Sequence, residues 1–322
     1  IHAPMNDWQV ALERAQAVVP DPGAVEAVVA RAAPGRSVQA VVRMHGGLGA
    51  VLHRIDLHPE PSQPEALVLR QLMPEWGETA EHLEREATTV DRLDRSSDVP
   101  VPTVHWSDPG GNVFGRPSMV MEFVHGHCLV ADLDSRAAAA ALARTLARIH
   151  ATSIDTGHLR RFETHAEHPQ IFGINPAPSD VVDADALRLA LERATPDASV
   201  QPTLVHGDFH GGNVLWDGTV VTAVLDWPMA TVANRWWDEA YAHMDTWLAH
   251  GAESAKGFRS EYREIAGDAP DPTGQRFWDL TALIRALPSP GQWLDSYRHA
   301  GATDLTREML EERYADLVAR VV

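Results

Sequence analysis

The stretch LVHGDFHGGNVLWDGTVVTAVLDW, residues 204–227, restricts what this chain can fold into more than any other segment. An apolar run enters a loop broken by Gly207, Gly211 and Gly212, and a hairpin follows at once, marked by Asp217-Gly218 between two β-branched runs. Within eight positions, His206 to Asn213, the loop collects two histidines, an aspartate and an asparagine. Three chemistries use such a set. In an extended strand His206, Asp208 and His210 would share one face and suit zinc or non-haem iron, although the glycines break strand regularity. A nucleophile-and-base arrangement would need an exposed serine on a G-x-S-x-G turn, which the chain lacks, or a partnered cysteine, and Cys128 has no evident partner. Phosphoryl transfer needs a carboxylate to receive a hydroxyl proton, an amide to help hold magnesium, and a further aspartate from a nearby turn; Asp208, Asn213 and Asp226 have that order.

The remainder of the sequence divides unevenly. Residues 7–18 and 22–33 read as helices opened by aspartate or Asp-Pro start signals. Residues 37–44, 50–57, 65–72, 99–106 and 117–124 read as strands, with a charged amphipathic helix over 78–93. After His125-Gly126 the pattern is mainly helical, beginning with the alanine-rich stretch 137–150, and residues 232–322 are expected to form four or five helices. An α+β lobe of residues 1–124 followed by a mainly helical lobe of residues 125–322 is the expected organisation, with the boundary near 124–128.

Charge and composition remove several function classes. With 45 acidic and 27 basic residues the formal net charge is −18, which argues against nucleic acid as partner and reads first as a solubilising surface, with attraction of a cationic small molecule as the second reading. No apolar run approaches the ~18 residues of a membrane span. A single cysteine and the absence of a basic-then-apolar opening lead to the expectation of a cytoplasmic protein, monomeric or homodimeric. Lys256 is the only lysine, so a cation needed earlier in the chain must be arginine.

Phosphoryl transfer from ATP predicts four further parts upstream, and each has a candidate. HGGLGAVL, residues 45–52, supplies a Gly-rich loop between strands, with Gly46, Gly47 and Gly49 passing close to phosphate. Arg70 is the candidate phosphate-gripping cation, and Glu86, preferred over Glu84, would orient it from the following helix. SMVMEFVHG, residues 118–126, would meet adenine through the carbonyl of Glu122 and the amide of Val124. In this order, and with LVHGDFHGGNVLW…AVLDW as its most specific piece, the chain resembles the aminoglycoside phosphotransferase/choline kinase family over about residues 36–245. VPVPTVHW and LARTLARIHA also have that family's character.

The resemblance implies a bilobal protein-kinase-like fold and ATP-dependent phosphorylation of a small-molecule hydroxyl, with Mg²⁺ as cofactor and GTP as the second candidate donor. It implies Asp208 as catalytic base, Asn213 and Asp226 as metal ligands, and His206 and Asp238 as structural supports of the loop. Two departures stand out: Arg70 occupies a position where the wider kinase fold commonly has lysine, and Pro228 follows the Asp-Trp pair. The acceptor is expected among the late helices, where Glu239, Asp245, Trp278 and Asp279 offer carboxylates and an indole to an aminoglycoside, other antibiotic, amino sugar or amino alcohol, although a tryptophan at helical spacing reads first as core. The alternatives are a non-catalytic nucleotide-binding pseudokinase and a metal-dependent hydrolase.

Overall fold

The computed structural model describes residues 17–44, 50–61, 64–74, 77–128, 136–162, 178–195, 201–267, 269, 270 and 272–322. The helix expected over 7–18 falls almost wholly outside them, and so do Gly46, Gly47 and Gly49. Contacts divide the chain into two compact units, Ile1–Ser96 with Val101–Val124, and Ser97–Pro100 with His125–Val322.

The N-terminal unit is a five-stranded antiparallel sheet flanked by helices. Helix α1 (Pro22–Ala32) is opened by Asp21, whose carboxylate accepts from the Ala24 amide, with proline at its first position. Strands β1 (Val38–Met44), β2 (Ala50–Leu57), β3 (Ala66–Leu72), β4 (Val104–Asp108) and β5 (Ser118–Glu122) pair in the order β1-β2-β3-β5-β4. The central strand β3 is buried at every position, so its two faces divide by the period of two. Leu67 and Leu69 pack with Val25, Val28 and Val29 of α1. Val68 and Leu72 pack on the other side with Leu83 and Ala87 of helix α2 (Ala80–Ser96). Arg70 lies between Val68 and Leu72 on this second face, which aims it at α2. Strand β4 begins at Val104, later than the 99–106 expected; Val99–Thr103 contains two prolines, and proline cannot donate to a ladder.

In the C-terminal unit, helix α3 (Arg136–Ala151) buries an Ala/Leu face, and helix α4 (Ala184–Arg193) is capped by Asp183. Strands β6 (Thr203–Val205) and β9 (Thr231–Ala233) pair antiparallel and clamp the base of residues 206–230. Inside that closed segment sit a 3-10 turn, Gly211–Asn213, and the hairpin of β7 (Val214–Asp217) and β8 (Val220–Val224). Helix α5 (Trp236–His250) follows β9 directly and is buried along almost its whole length. Helices α6 (Ala252–Ala266) and α7 (Pro272–Arg285) pack against it, followed by α8 (Leu294–His299) and α9 (Arg307–Val321). No helix among the described residues is long and apolar enough to cross a membrane.

Candidate functional site

The loop between β6 and β7 is held from below by one carboxylate. Asp238, in the first turn of α5 and fully buried, accepts from the His206 amide at 2.7 Å through Oδ2 and from the Gly207 amide at 2.9 Å through Oδ1. His150 Nε2 lies 3.2 Å from the same Oδ2, and its Nδ1 meets the Tyr262 hydroxyl at 2.7 Å. Gly207 has φ +83°, and a Cβ there would stand 2.5 Å from the Met229 carbonyl oxygen, so only glycine lets the loop pass this point.

His206 braces the loop from inside. Its Nδ1 accepts from the Asp208 amide at 3.2 Å, and its Nε2 faces the Leu225 carbonyl at 2.9 Å. Those partners require the neutral ring with its proton on Nε2. Burial depresses the His206 pKa against the pull of the Asp238, Asp208 and Asp226 charges, which agrees with a neutral ring. The imidazole also packs on Trp227, with centroids 4.5 Å apart. One side chain therefore ties the backbone of Asp208 to the residue preceding Asp226. The transition-metal reading fails on these bonds, because both ring nitrogens of His206 are committed to backbone. Among the described residues, no group of three or more His, Cys, Asp or Glu is gathered to hold a metal ion.

Asp208 presents its carboxylate among cationic and aromatic neighbours. Arg285, the last residue of α7, donates to Asp208 Oδ1 at 2.8 Å and to the Gly207 carbonyl at 3.3 Å. Its guanidinium lies 3.7 Å from the centre of the Tyr241 ring. Burial works to raise the Asp208 pKa, but Arg285, His210 and His206 outweigh it and hold the carboxyl below its usual range. His210 caps the 3-10 turn by accepting from the Gly212 amide through Nδ1, with Nε2 3.8 Å from Asp208 Oδ2. Asn213 donates Nδ2 to the Asp208 carbonyl at 3.0 Å and lies 3.4 Å from Asp208 Oδ2, turning its amide oxygen the other way. The Leu225 amide donates to the Asn213 carbonyl, which brings the start of Asp226 alongside. Asp226 has φ +66° and is the one non-glycine residue with positive φ among those described, a conformation an L side chain adopts only at a cost. An amide oxygen and a carboxylate are hard donors of the kind magnesium takes, so Asn213 and Asp226 fit that ion.

In the N-terminal unit the structure brings Arg70 and Glu86 together, Nε to Oε2 at 3.1 Å, both side chains buried. Glu86 sits on the apolar stripe of α2 formed by Leu83, Ala87, Val90 and Leu93, where a carboxylate is costly without a cation. Glu122 closes β5, its amide donating to the Thr103 carbonyl, and half-buried Val124 is the last residue of this unit.

The expected acceptor residues separate into two groups. Glu239 and Asp279 both pair with Arg259, at 2.8 and 2.6 Å, and Trp278 is buried in the core. These three are internal supports, which corrects the expectation that they cradle a ligand: fully buried Glu239 also meets Arg263 at 3.4 Å, so the two carboxylates are balanced by two guanidiniums, and Asp279 accepts from Gln275 as well. Asp245 belongs to the site's surroundings, accepting from the Tyr297 hydroxyl at 2.7 Å. Burial, then the charges of Asp245 and, more weakly, Asp208, push the Tyr297 phenol well up. Sequence reasoning missed Arg285, Tyr241 and Tyr297. The signal available for Arg285 was a single cation in the apolar run LTALIRAL.

The fold and the loop define a phosphotransferase of the protein-kinase-like class. The model of the phosphotransferase enzyme family matches residues 60–278, most of the chain, and the protein belongs to that family. Solved structures share the fold at low identity. A thermostable mutant of aminoglycoside phosphotransferase APH(4)-Ia, in complex with AMP-PNP and hygromycin B, has a TM-score of 0.57 at 19% identity, covering 89% of this chain and 98% of its own. Macrolide 2′-phosphotransferase MphH from Brachybacterium faecium has a TM-score of 0.56 at 20% identity, covering 91% and 97%. The GDP and kanamycin complex of APH(2″)-IIIa has a TM-score of 0.61 at 16% identity, covering 91% and 96%. Among curated proteins, acyl-CoA dehydrogenase family member 10 of Mus musculus is 26% identical over 238 residues, 67% of this chain. The probable acyl-CoA dehydrogenase IBR3 of Arabidopsis thaliana is 24% identical over 256 residues, 65% of this chain. This chain spans only 21% and 30% of the lengths of those two relatives.

Proposed function

We propose that the protein transfers the terminal phosphoryl group of ATP, with GTP as second donor, to a hydroxyl of a small molecule. The observation that carries this reading is the setting of Asp208: an ionised carboxylate on a loop held by Asp238 and His206, with the Asn213 amide beside it and Asp226 one residue beyond Leu225. Asp208 receives the acceptor hydroxyl and aims its oxygen at the terminal phosphorus. A bond from that oxygen to phosphorus forms as the bond to the leaving diphosphate breaks, and the hydroxyl proton passes to the carboxylate. Arg70, oriented by Glu86, supplies a cation for the donor's phosphates, and the backbone of Glu122 and Val124 meets the purine. Magnesium held by Asn213 and Asp226 would supply countercharge for the phosphates.

Catalysis of this kind is positioning plus electrostatics. The APH(4)-Ia neighbour was solved with AMP-PNP and the APH(2″)-IIIa neighbour with GDP, which supports nucleotide use here. The acceptor is open to sugars, amino alcohols, macrolides and other hydroxyl-bearing metabolites; with Glu239 and Asp279 committed to Arg259, a polycationic acceptor loses its main support. The test is ADP release across a panel of hydroxyl acceptors with Asp208→Ala alongside. Transfer is expected to disappear in the variant while the nucleotide still raises its melting temperature. Full transfer by Asp208→Ala would sink the mechanism.

A further inference from the structure

We infer that Arg285 is the positioning residue of this phosphotransferase: it fixes the Asp208 carboxylate by its Oδ1 so that Oδ2 is the oxygen that receives the acceptor hydroxyl. The inference rests on the reading of Asp208 as the base. Its grounds are geometric. A carboxylate on a glycine-flanked loop has two free side-chain torsions, and catalysis by alignment requires them stopped. The loop's other anchors hold the backbone: Asp238 binds the amides of His206 and Gly207, His206 binds the amide of Asp208, and Asn213 donates mainly to the Asp208 carbonyl. Arg285 grips the carboxylate itself at 2.8 Å, and with the same guanidinium reaches back to the Gly207 carbonyl at 3.3 Å. Spanning two oxygens one residue apart, the planar cation ties the side chain to its own loop.

The guanidinium is in turn held. It stacks on Tyr241 of α5 at 3.7 Å, and its stem rises from the C-terminal end of α7, where a cation is favoured by the helix dipole. The Asp208–Arg285 pair is partly buried, with side-chain exposures of 26% and 14%, so it is screened less than a surface pair. The Tyr241 hydroxyl also hydrogen-bonds the Asp208 carboxylate. Oδ2, 3.4 Å from Asn213 Nδ2 and 3.8 Å from His210 Nε2, is the oxygen that Arg285 leaves to the acceptor hydroxyl. Lysine in place of Arg285 could not reproduce the bridge, because an ammonium has no rigid fork and stacks less well.

The experiment compares the parent with Arg285→Ala, Arg285→Lys and Asp208→Ala, reading ADP release from MgATP with water in the acceptor's place. The expected result for Arg285→Ala is kcat down by about tenfold to a hundredfold with KM for ATP within about twofold. Millimolar guanidinium ion should recover several-fold of the loss in Arg285→Ala and nothing in Asp208→Ala. Arg285→Lys should fall between parent and alanine variant and serves if the alanine variant does not fold. Parent-level or faster turnover in Arg285→Ala, or no response to guanidinium, overturns the inference. Parent-level turnover in Asp208→Ala overturns instead the reading on which it rests. Where turnover with water is too slow to read, crystal structures of the parent and the folded Arg285 variant decide. A rotated Asp208 carboxylate supports the inference, and an unmoved one overturns it.

Discussion

His206 and Asp238 act through what they hold. The family resemblance implied both as supports of the loop, and the structure shows the bonds they make: Asp238 takes two successive backbone amides, and His206 accepts from the amide that follows. Three consecutive N–H groups of a buried turn are thereby satisfied by two side chains. Removing the Asp238 carboxylate would leave two of those donors buried without partners, at about 1–3 kcal/mol each. We therefore expect Asp238→Ala to lose roughly 2–5 kcal/mol in urea unfolding, and to lose activity even at temperatures where it stays folded. Asp238→Asn should recover part of the stability, since its amide oxygen can still accept from one N–H. Equal unfolding midpoints for the parent and Asp238→Ala would show the loop to be held by something else. Arg285 was not legible at this scale, because it is 77 residues from its partner and no local pattern announces the pairing.

At the scale of elements, the strongly patterned segments were readable. Strand β2 spans the residues expected, and α2 and α3 differ from expectation by one to three residues at either end. The three-residue strands β6 and β9 were not, since a threonine and two apolar residues are too short a run to show a period. The role of charges on the late helices was also hidden. Glu239 and Asp279 read as acceptor-pocket carboxylates until α5, α6 and α7 are packed, when both turn to Arg259. Burial opposes the Arg259 charge, yet Glu239 and Asp279 more than compensate and raise its pKa above the ordinary value. Arg259→Met should therefore cost about 3 kcal/mol, because it removes the cation that joins the two carboxylates and leaves buried Glu239 to Arg263 and Asp279 to Gln275. Adding Glu239→Gln and Asp279→Asn should return much of that loss, which urea titration of the single and triple variants would measure. If the single variant is as stable as the parent, the triad is not the bond between these helices.

Over the whole molecule, the net charge of −18 suggests that acid should relieve self-repulsion and stabilise the fold. The buried histidines predict the opposite near neutrality. Burial lowers the pKa of His206 and His53, and lowers that of His243 well below the usual value, with Arg259 and Arg263 adding to the shift. A histidine whose folded pKa lies below its unfolded one takes up its proton first in the unfolded chain. Its contribution to stability is complete above pH about 6.5 and drains away as pH falls toward the folded value. The slope each ring adds below that point has a ceiling of about 1.4 kcal/mol per pH unit, and His243, lowered furthest, holds it over the widest range, above the region near pH 4 where exposed carboxylates titrate. Asp208 acts in the same sense further down, since its lowered pKa withdraws stability only below about pH 4. Unfolding free energy should be flat from pH 8 to 7 and fall steeply from 6.5 to 5.5. His243→Gln, which cannot take the proton, should remove the largest single share of that slope whatever it does to stability at pH 8. A parent whose stability rises between pH 6.5 and 5.5 would mean that relief of the acidic surface, and not the buried rings, governs the molecule in acid.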